Sequence, residues 1–337
     1  MNATMLLEKT KHYPVMLDQV LSIISPQHGG TFIDCTFGGG GYSKAILKHP
    51  STKVFALDRD KLTEKNANNL LTKFPKRFIF FRNKFSNLGS VIDSNLCPKA
   101  IIFDLGVSSF QLSDNKRGFS FESKNFLNME MGINKYSAYD VVNSFDKKYL
   151  TKIIKVFGDE KDGKKIAKKI DIYRTKRTIK TSYELSKIIS NAKKYNKNFK
   201  KNPATKTFQA IRIFVNQELT ELVLGLIEAT KLLAKGGILI VVSFHSLEDK
   251  IIKYFFNIYS NLKQNPSRYL PIKENKNELF ELISKKPLSP TKEEIHLNKS
   301  SRSAKLRYAV RNNNPFFYPD EFVRKFKTYF EMEKSAL

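Results

Sequence analysis

Residues 31–34 (TFID) form a short apolar run that ends on Asp34. It leads through Cys35, Thr36 and Phe37 into four successive glycines, Gly38, Gly39, Gly40 and Gly41. A helical patch, residues 43–48, follows. Strand, glycine-rich turn and helix in that order open a parallel crossover, and the glycines let backbone approach a ligand and take positive φ. A second apolar run, residues 54–58 (VFALD), closes on Asp58. That is about 20 residues beyond the turn, where a carboxylate can accept hydrogen bonds from both ribose hydroxyls of an adenosine.

The same rhythm continues. Residues 61–74 read as a polar-faced helix, 78–82 (FIFFR) as a third strand and 100–105 (AIIFDL) as a fourth. Short, continuously apolar strands separated by helices predict a parallel sheet covered on both faces, with right-handed crossovers and therefore a doubly wound α/β fold. From about 113 to 214 no strand is legible; Lys-rich helical patches at 147–157, 164–172 and 182–192 predict a helical insertion. Residues 209–233 read as one long amphipathic helix stopped by Gly236 and Gly237, followed by a fifth strand at 238–244 and a helix at 246–256. Residues 258–300 are polar and poorly patterned. Residues 305–311 (KLRYAVR) alternate and predict a late antiparallel strand.

Two cofactors compete for the glycine turn. A dinucleotide site prefers G-x-G-x-x-G, but the sixth position here is Ser43. Asp34 would also face a pyrophosphate unfavourably, whereas it suits the amino group and sulfonium of S-adenosylmethionine. The turn therefore favours S-adenosylmethionine, with a nicotinamide-linked oxidoreductase as the alternative.

Asp104 ends the fourth strand, beside the switch point where such folds place their chemistry. There it could accept the N–H of a base amine and align it for in-line methyl transfer, and positioning can supply about 7–11 kcal/mol of a barrier. Equally, it could touch only the cofactor or cap a loop. Methylation of a pyrimidine ring carbon needs an attacking thiolate. Neither Cys35, in the glycine turn, nor Cys97, before Pro98, is placed for that, so an amine or hydroxyl acceptor is expected. The five histidines show no metal spacing, and no metal is expected. His245, in SFHSLED, reads as a structural histidine; Ser243, His245 and Asp249 lack the nucleophile elbow of a hydrolase triad.

Motifs along nearly the whole chain sharpen this. HYPVMLD (12–18), DCTFGGGGYS (34–43), LDRD (57–60), FSNL (85–88), DLGVSSFQL (104–112) and RGFSF (117–121) are followed by NPATKTFQAIRIFVNQEL (202–219), SFHSLED (243–249) and SSRSAKLR (300–307). With these the chain resembles the MraW/RsmH family, the 16S ribosomal RNA cytosine-N4 methyltransferases. The resemblance implies a class I, Rossmann-like methyltransferase fold and S-adenosylmethionine as donor. It also implies a cytidine in the decoding region of small-subunit ribosomal RNA as acceptor. Carried over by position, the cofactor contacts are Gly40, Gly41, Tyr42, Asp58, Phe85, Asp104 and Gln111, with Asp104 the candidate for orienting the amine. The family does not identify a general acid or base. It places a methyltransferase domain at 1–112 and 215–337 and an inserted RNA-recognition domain at 113–214.

The chain departs from the family pattern in places. Tyr42 stands where histidine is usual and Gly39 where arginine is. LNMEMG (127–132) replaces LDMRMD, which leaves open a non-catalytic RNA-binding protein with a vestigial pocket.

Charge bears on the partner. Lys and Arg number 59 against 32 Asp and Glu, a net +27. That field attracts nucleic acid, although a compositional bias toward Lys, Asn, Ile and Phe would raise it without any partner. No apolar run approaches the ~20 residues of a membrane helix, and the N-terminus lacks the pattern of a secretory signal. Two cysteines fit a reducing cytoplasm rather than a disulfide framework. No pattern indicates an oligomeric state.

Overall fold

Seven strands form one sheet in the computed structural model, which describes residues 14–108, 111–112, 114–193, 202–260 and 278–334. They are β1 (Gly30–Asp34), β2 (Thr52–Asp58), β3 (Phe78–Arg82), β4 (Ala100–Asp104), β5 (Ile238–Ser243), β6 (Phe280–Leu282) and β7 (Lys305–Arg311). Their order across the sheet is β3-β2-β1-β4-β5-β7-β6. The first five in sequence run parallel; β7 is antiparallel to β5 and to β6. This is the expected doubly wound α/β sheet with a late antiparallel strand.

The apolar runs become strands because both faces of the sheet are covered. Phe32, Val54, Ala56, Phe78, Ile102, Ile240 and Val242 alternate along their strands and share one core with Met16, Leu17, Val20, Ile46 and Leu70. Ile33, Ile101, Phe103, Leu239 and Val241, which point to the opposite face, are also fully buried. A strand buried on both sides cannot alternate in polarity, hence AIIF and ILIVV.

The chain divides into two compact units, Met1–Gly106 with Leu219–Lys327, and Val107–Glu218 with Thr328–Leu337. The sheet belongs wholly to the first. The second is helical, with helices Ala138–Ser144, Lys147–Gly158, Gly163–Arg174, Ser182–Ala192 and Thr205–Asn216. Two capping boxes, Ser137 with Asp140 and Thr181 with Glu184, start two of these helices. Within the unit Asn216 is buried and engages four groups. Its side-chain amine donates to Met129 O and Arg212 O, and its carbonyl accepts from Met131 N and Asn134 Nδ2, all at 2.8–2.9 Å.

Two expectations need correcting. Residues 209–233 are two helices, Thr205–Asn216 and Glu218–Leu232, because Gln217 takes a left-handed conformation, φ 54°. Asn216 anchors the end of the first helix, and Arg212 clamps Glu218 across the break with two bonds of 2.8 and 2.7 Å. The described part of 258–300 is also more regular than its composition suggests, since it holds β6 and a helix at Lys292–Leu297. The edge strand is three residues long, pairs with β7 and is bridged by Ser260 at Phe280, too short to carry a periodic signal. Residues 261–277 lie outside the described residues, as do His12, Tyr13, Ser109 and Phe110 of the motifs above.

Candidate active site

The order of strands fixes where a ligand can sit. Chain connectivity leaves β1 for β2 on one side and reaches β4 on the other, so a crevice opens at the carboxyl ends of these strands. Asp58, Asp34 and Asp104 end β2, β1 and β4, three neighbours in the sheet.

The glycine turn is tied down by backbone. Cys35 N donates to Ile102 O and Phe37 N to Leu57 O, both at 2.9 Å. Gly38 N donates to Asp58 Oδ2 at 2.7 Å, and Asp60 N to Asp58 Oδ1 at 2.8 Å. Each Asp58 oxygen thus carries one amide and keeps a further lone pair. Gly40 is left-handed, φ 76°, and starts the helix Gly41–Leu47. A side chain on Gly40 would strike the Phe37 ring, and one on Gly41 would overlap Pro14. Gly41 is therefore required by packing whether or not a ligand passes it. Gly39 faces open space, so the arginine common in the family would fit there.

The carboxylates differ in setting. Asp34 is buried, accepts from the Ser43 hydroxyl at 2.7 Å, and is pushed up to about 6 by burial against the pull of its hydrogen bonds. Asp58 is likewise raised by burial to about 6, with the Asp60 and Gly38 amides holding it back. Asp104 is shifted well above the usual carboxylate range, by burial first and then by the charges of Asp34, Glu248 and Glu294. Its Oδ1 is buried with no hydrogen-bond partner among the described residues. Its backbone N donates to Thr36 Oγ1 at 2.7 Å, which locks β4 to the turn after β1.

Tyr42 is 3% exposed, and its hydroxyl lies between the Val15 carbonyl and the Asp104 carboxylate. One phenolic proton can serve only one of them at a time. The side chain that departs from the family pattern thus reaches the candidate catalytic carboxylate. Phe85 follows β3 and meets Phe103 edge-on at 5.3 Å, half-buried, close to Gly225. Gln111 belongs to the second unit, where it is buried and its carbonyl accepts from Ser108 N at 2.9 Å.

The first unit therefore gathers Gly40, Gly41, Tyr42, Asp58, Phe85 and Asp104 along one edge of the sheet. Thr36 and Ser43 were not singled out as site residues by sequence. Their signal was spacing, a hydroxyl two residues and nine residues after a strand-end aspartate. The residues fit a nucleoside cofactor bearing an amino group: amides and lone pairs converge there, and Asp104 Oδ1 has no partner among the described residues.

His245 is a helix cap. Its Nδ1 accepts from Glu248 N at 3.4 Å at the start of Ser246–Tyr259. Asp249 bonds Lys305 at 2.7 Å and Arg307 at 2.8 Å, so no Ser243–His245–Asp249 relay forms. Both cysteines are free thiols, Cys35 buried and Cys97 exposed. Among the described residues no helix is long and apolar enough to cross a membrane.

The chain is similar to "Ribosomal RNA small subunit methyltransferase H" of Ehrlichia ruminantium (strain Welgevonden), at 43% identity over 300 residues, 88% of this chain and 98% of that protein. The protein of the same name from Ehrlichia canis (strain Jake) is 45% identical over 299 residues, again 88% and 98%. A solved structure of an rRNA methylase from Streptococcus thermophilus aligns over 87% of this chain and 96% of its own, at 11% identity and a TM-score of 0.35. The model of the MraW methylase family matches residues 9–312, nearly the full length. The chain belongs to the MraW methylase family.

Proposed function

We propose that this protein transfers a methyl group from S-adenosylmethionine to the exocyclic N4 amine of a cytidine in the decoding region of 16S ribosomal RNA. The observation that carries the reading is the trio Asp58, Asp34 and Asp104 on adjacent strand ends, one Asp104 oxygen unpartnered, in a member of a methylase family. The relatives' names support the ribosomal substrate.

When bound, the cofactor supplies an electrophilic methyl on a sulfonium. Asp58 would take the ribose hydroxyls on its free lone pairs. Asp34 and the turn at Gly40, Gly41 and Tyr42 would hold the amino-acid end, and Phe85 would lie against the adenine. Asp104 would accept an N4–H of the target. That matters because the amine lone pair is delocalised into the ring, so attack depends on alignment. The amine must also lose a proton as it gains the methyl. A carboxylate raised by burial and neighbouring acids is suited to receive it. The target amine lies on the pairing edge, so the base must be unpaired or flipped out.

The helical unit serves in this reading as the RNA-recognition region, and the protein works in the cytoplasm on the small ribosomal subunit. Mass spectrometry of small-subunit RNA nucleosides from cells with and without the protein tests the function. Loss of N4-methylated cytidine on removal supports it; an unchanged nucleoside profile contradicts it.

A further inference from the structure

A cavity of about 350 Å³ opens within the first unit, where the end of β5 meets the start of β7. Phe244 lines it, two residues past Val242, the β5 residue that pairs with Asp104. The cavity thus begins on the neighbouring strand's exit, two residues beyond the residue paired with the candidate catalytic carboxylate. His245, Ser246, Ser289, Ser303 and the cations Arg302 and Lys305 also line it.

The charges around it do not cancel. Asp249 is bonded by both Lys305 and Arg307. Burial works to raise it, but the Arg307 and Lys305 hydrogen bonds outweigh this and hold it low. Glu248 is turned inward, its Oε2 accepting the Phe244 and His245 amides at 2.9 and 3.3 Å. Lys305 and Arg307 both engage Asp249, and Glu248 faces His245 Nε2 at 3.1 Å. Arg302 is the charge left over: it is exposed, and no acidic partner for it occurs among the described residues. Three hydroxyls that could each donate, one unmatched guanidinium and one half-buried aromatic ring form a mixed polar and apolar lining. Arginine and serine are common contacts to phosphate oxygens, and an aromatic face suits a sugar or base. The volume lies at the low end for small-ligand pockets, enough for one unit of a polymer rather than a long stretch.

We infer that this cavity holds one nucleotide of the RNA strand adjoining the target base, with its phosphodiester on Arg302 and the serine hydroxyls. The inference rests on RNA being the substrate. It adds a subsite that anchors the strand beside Asp104, so that the flipped base is presented from a fixed backbone position.

The test is binding of a single-stranded RNA oligonucleotide carrying the target cytidine, over a range of salt, to the full-length protein and to Arg302→Gln, Arg302→Lys and Lys299→Gln. Lys299 is an exposed cation that does not line the cavity, so it controls for general charge. Arg302→Gln should weaken binding several-fold and flatten the log–log salt slope by about 0.7, one phosphate's worth. Arg302→Lys should keep the slope, Lys299→Gln should lose less than Arg302→Gln, and S-adenosylmethionine affinity should not move. Equal losses in Arg302→Gln and Lys299→Gln, or an unmoved slope in Arg302→Gln, overturn the subsite while leaving the methyltransferase reading intact. Inorganic phosphate binding that Arg302→Gln abolishes, with RNA binding unmoved, overturns it in favour of a free-anion site. If the unaltered protein binds no RNA, subsite and proposed substrate fall together.

Discussion

The Gly38 amide donates to Asp58 Oδ2 at 2.7 Å, so the end of β2 holds the turn that follows β1. One carboxylate both shapes the glycine turn and, in the proposed function, receives the ribose. Asp58→Ala removes both roles. Charged hydrogen bonds contribute about 1.5–3 kcal/mol each, so S-adenosylmethionine affinity should fall more than tenfold in calorimetry. The Gly38 and Asp60 amides also lose their acceptor, so the thermal midpoint should drop as well. A variant that binds cofactor as the parent does removes Asp58 from the site.

Asp34 and Asp58 give the free protein an unusual pH dependence. Both are raised from the ordinary value of 3.8 to about 6, burial being the main cause. Between those values the folded state binds more protons than the unfolded chain, so stability falls as pH rises from about 4 to about 6. Cofactor affinity should run the other way, rising up to about pH 7 as the carboxylates ionise and accept their partners. The stability difference between the parent and Asp34→Asn, followed by thermal melts from pH 4 to 7, isolates one group. A difference that does not change over that range contradicts the assignment.

Gly225 connects the core to the site. A β-carbon there would come within 2.6 Å of the Phe85 ring and 3.2 Å of Phe103. Gly225→Ala should push the half-buried Phe85 from its place and cost about 1–3 kcal/mol through overpacking. The cofactor should bind more weakly, while Gly39→Ala, which meets open space, should leave stability near the parent's. Denaturant melts with cofactor titration on both variants check the pair; unchanged cofactor affinity in Gly225→Ala argues that Phe85 does not contact it.

In the helical unit, Lys164, Lys165, Lys168 and Lys169 are exposed on the helix Gly163–Arg174, with Lys165 bonded to Asp162 at 2.9 Å. Reversing all four charges should flatten the salt dependence of RNA binding by about 0.7 for each phosphate no longer neutralised. Cofactor affinity should not respond. A slope that stays put assigns these lysines to compositional bias.

Much of the architecture is readable because its strands are buried on both faces. AIIFD and ILIVVS cannot be amphipathic helices of useful length, and Asp58 stands at the distance from the glycines that a ribose contact requires. The break at Gln217 is not readable. A non-glycine residue in the left-handed region leaves no mark when its neighbours keep helical spacing, and Asn216 draws its partners from Met129, Met131 and Asn134, far away in sequence. The edge strand β6 is hidden by brevity. At the site, sequence suggested that Gly41 makes room for a ligand, but the nearer reason is the Pro14 ring. The meeting of Tyr42 with Asp104 is not visible either, because it depends on how a helix start is set against the third strand after it in chain order.

The most direct test is single-turnover transfer from isotopically labelled S-adenosylmethionine to small ribosomal subunits lacking the modification. The RNA is digested to nucleosides and the labelled product identified by mass spectrometry, for the parent and for Asp104→Ala. Label is expected on N4 of cytidine, formed by the parent and far more slowly by Asp104→Ala at saturating cofactor. Label on another atom or base, or no transfer by a parent protein that binds the cofactor, would contradict the proposed function.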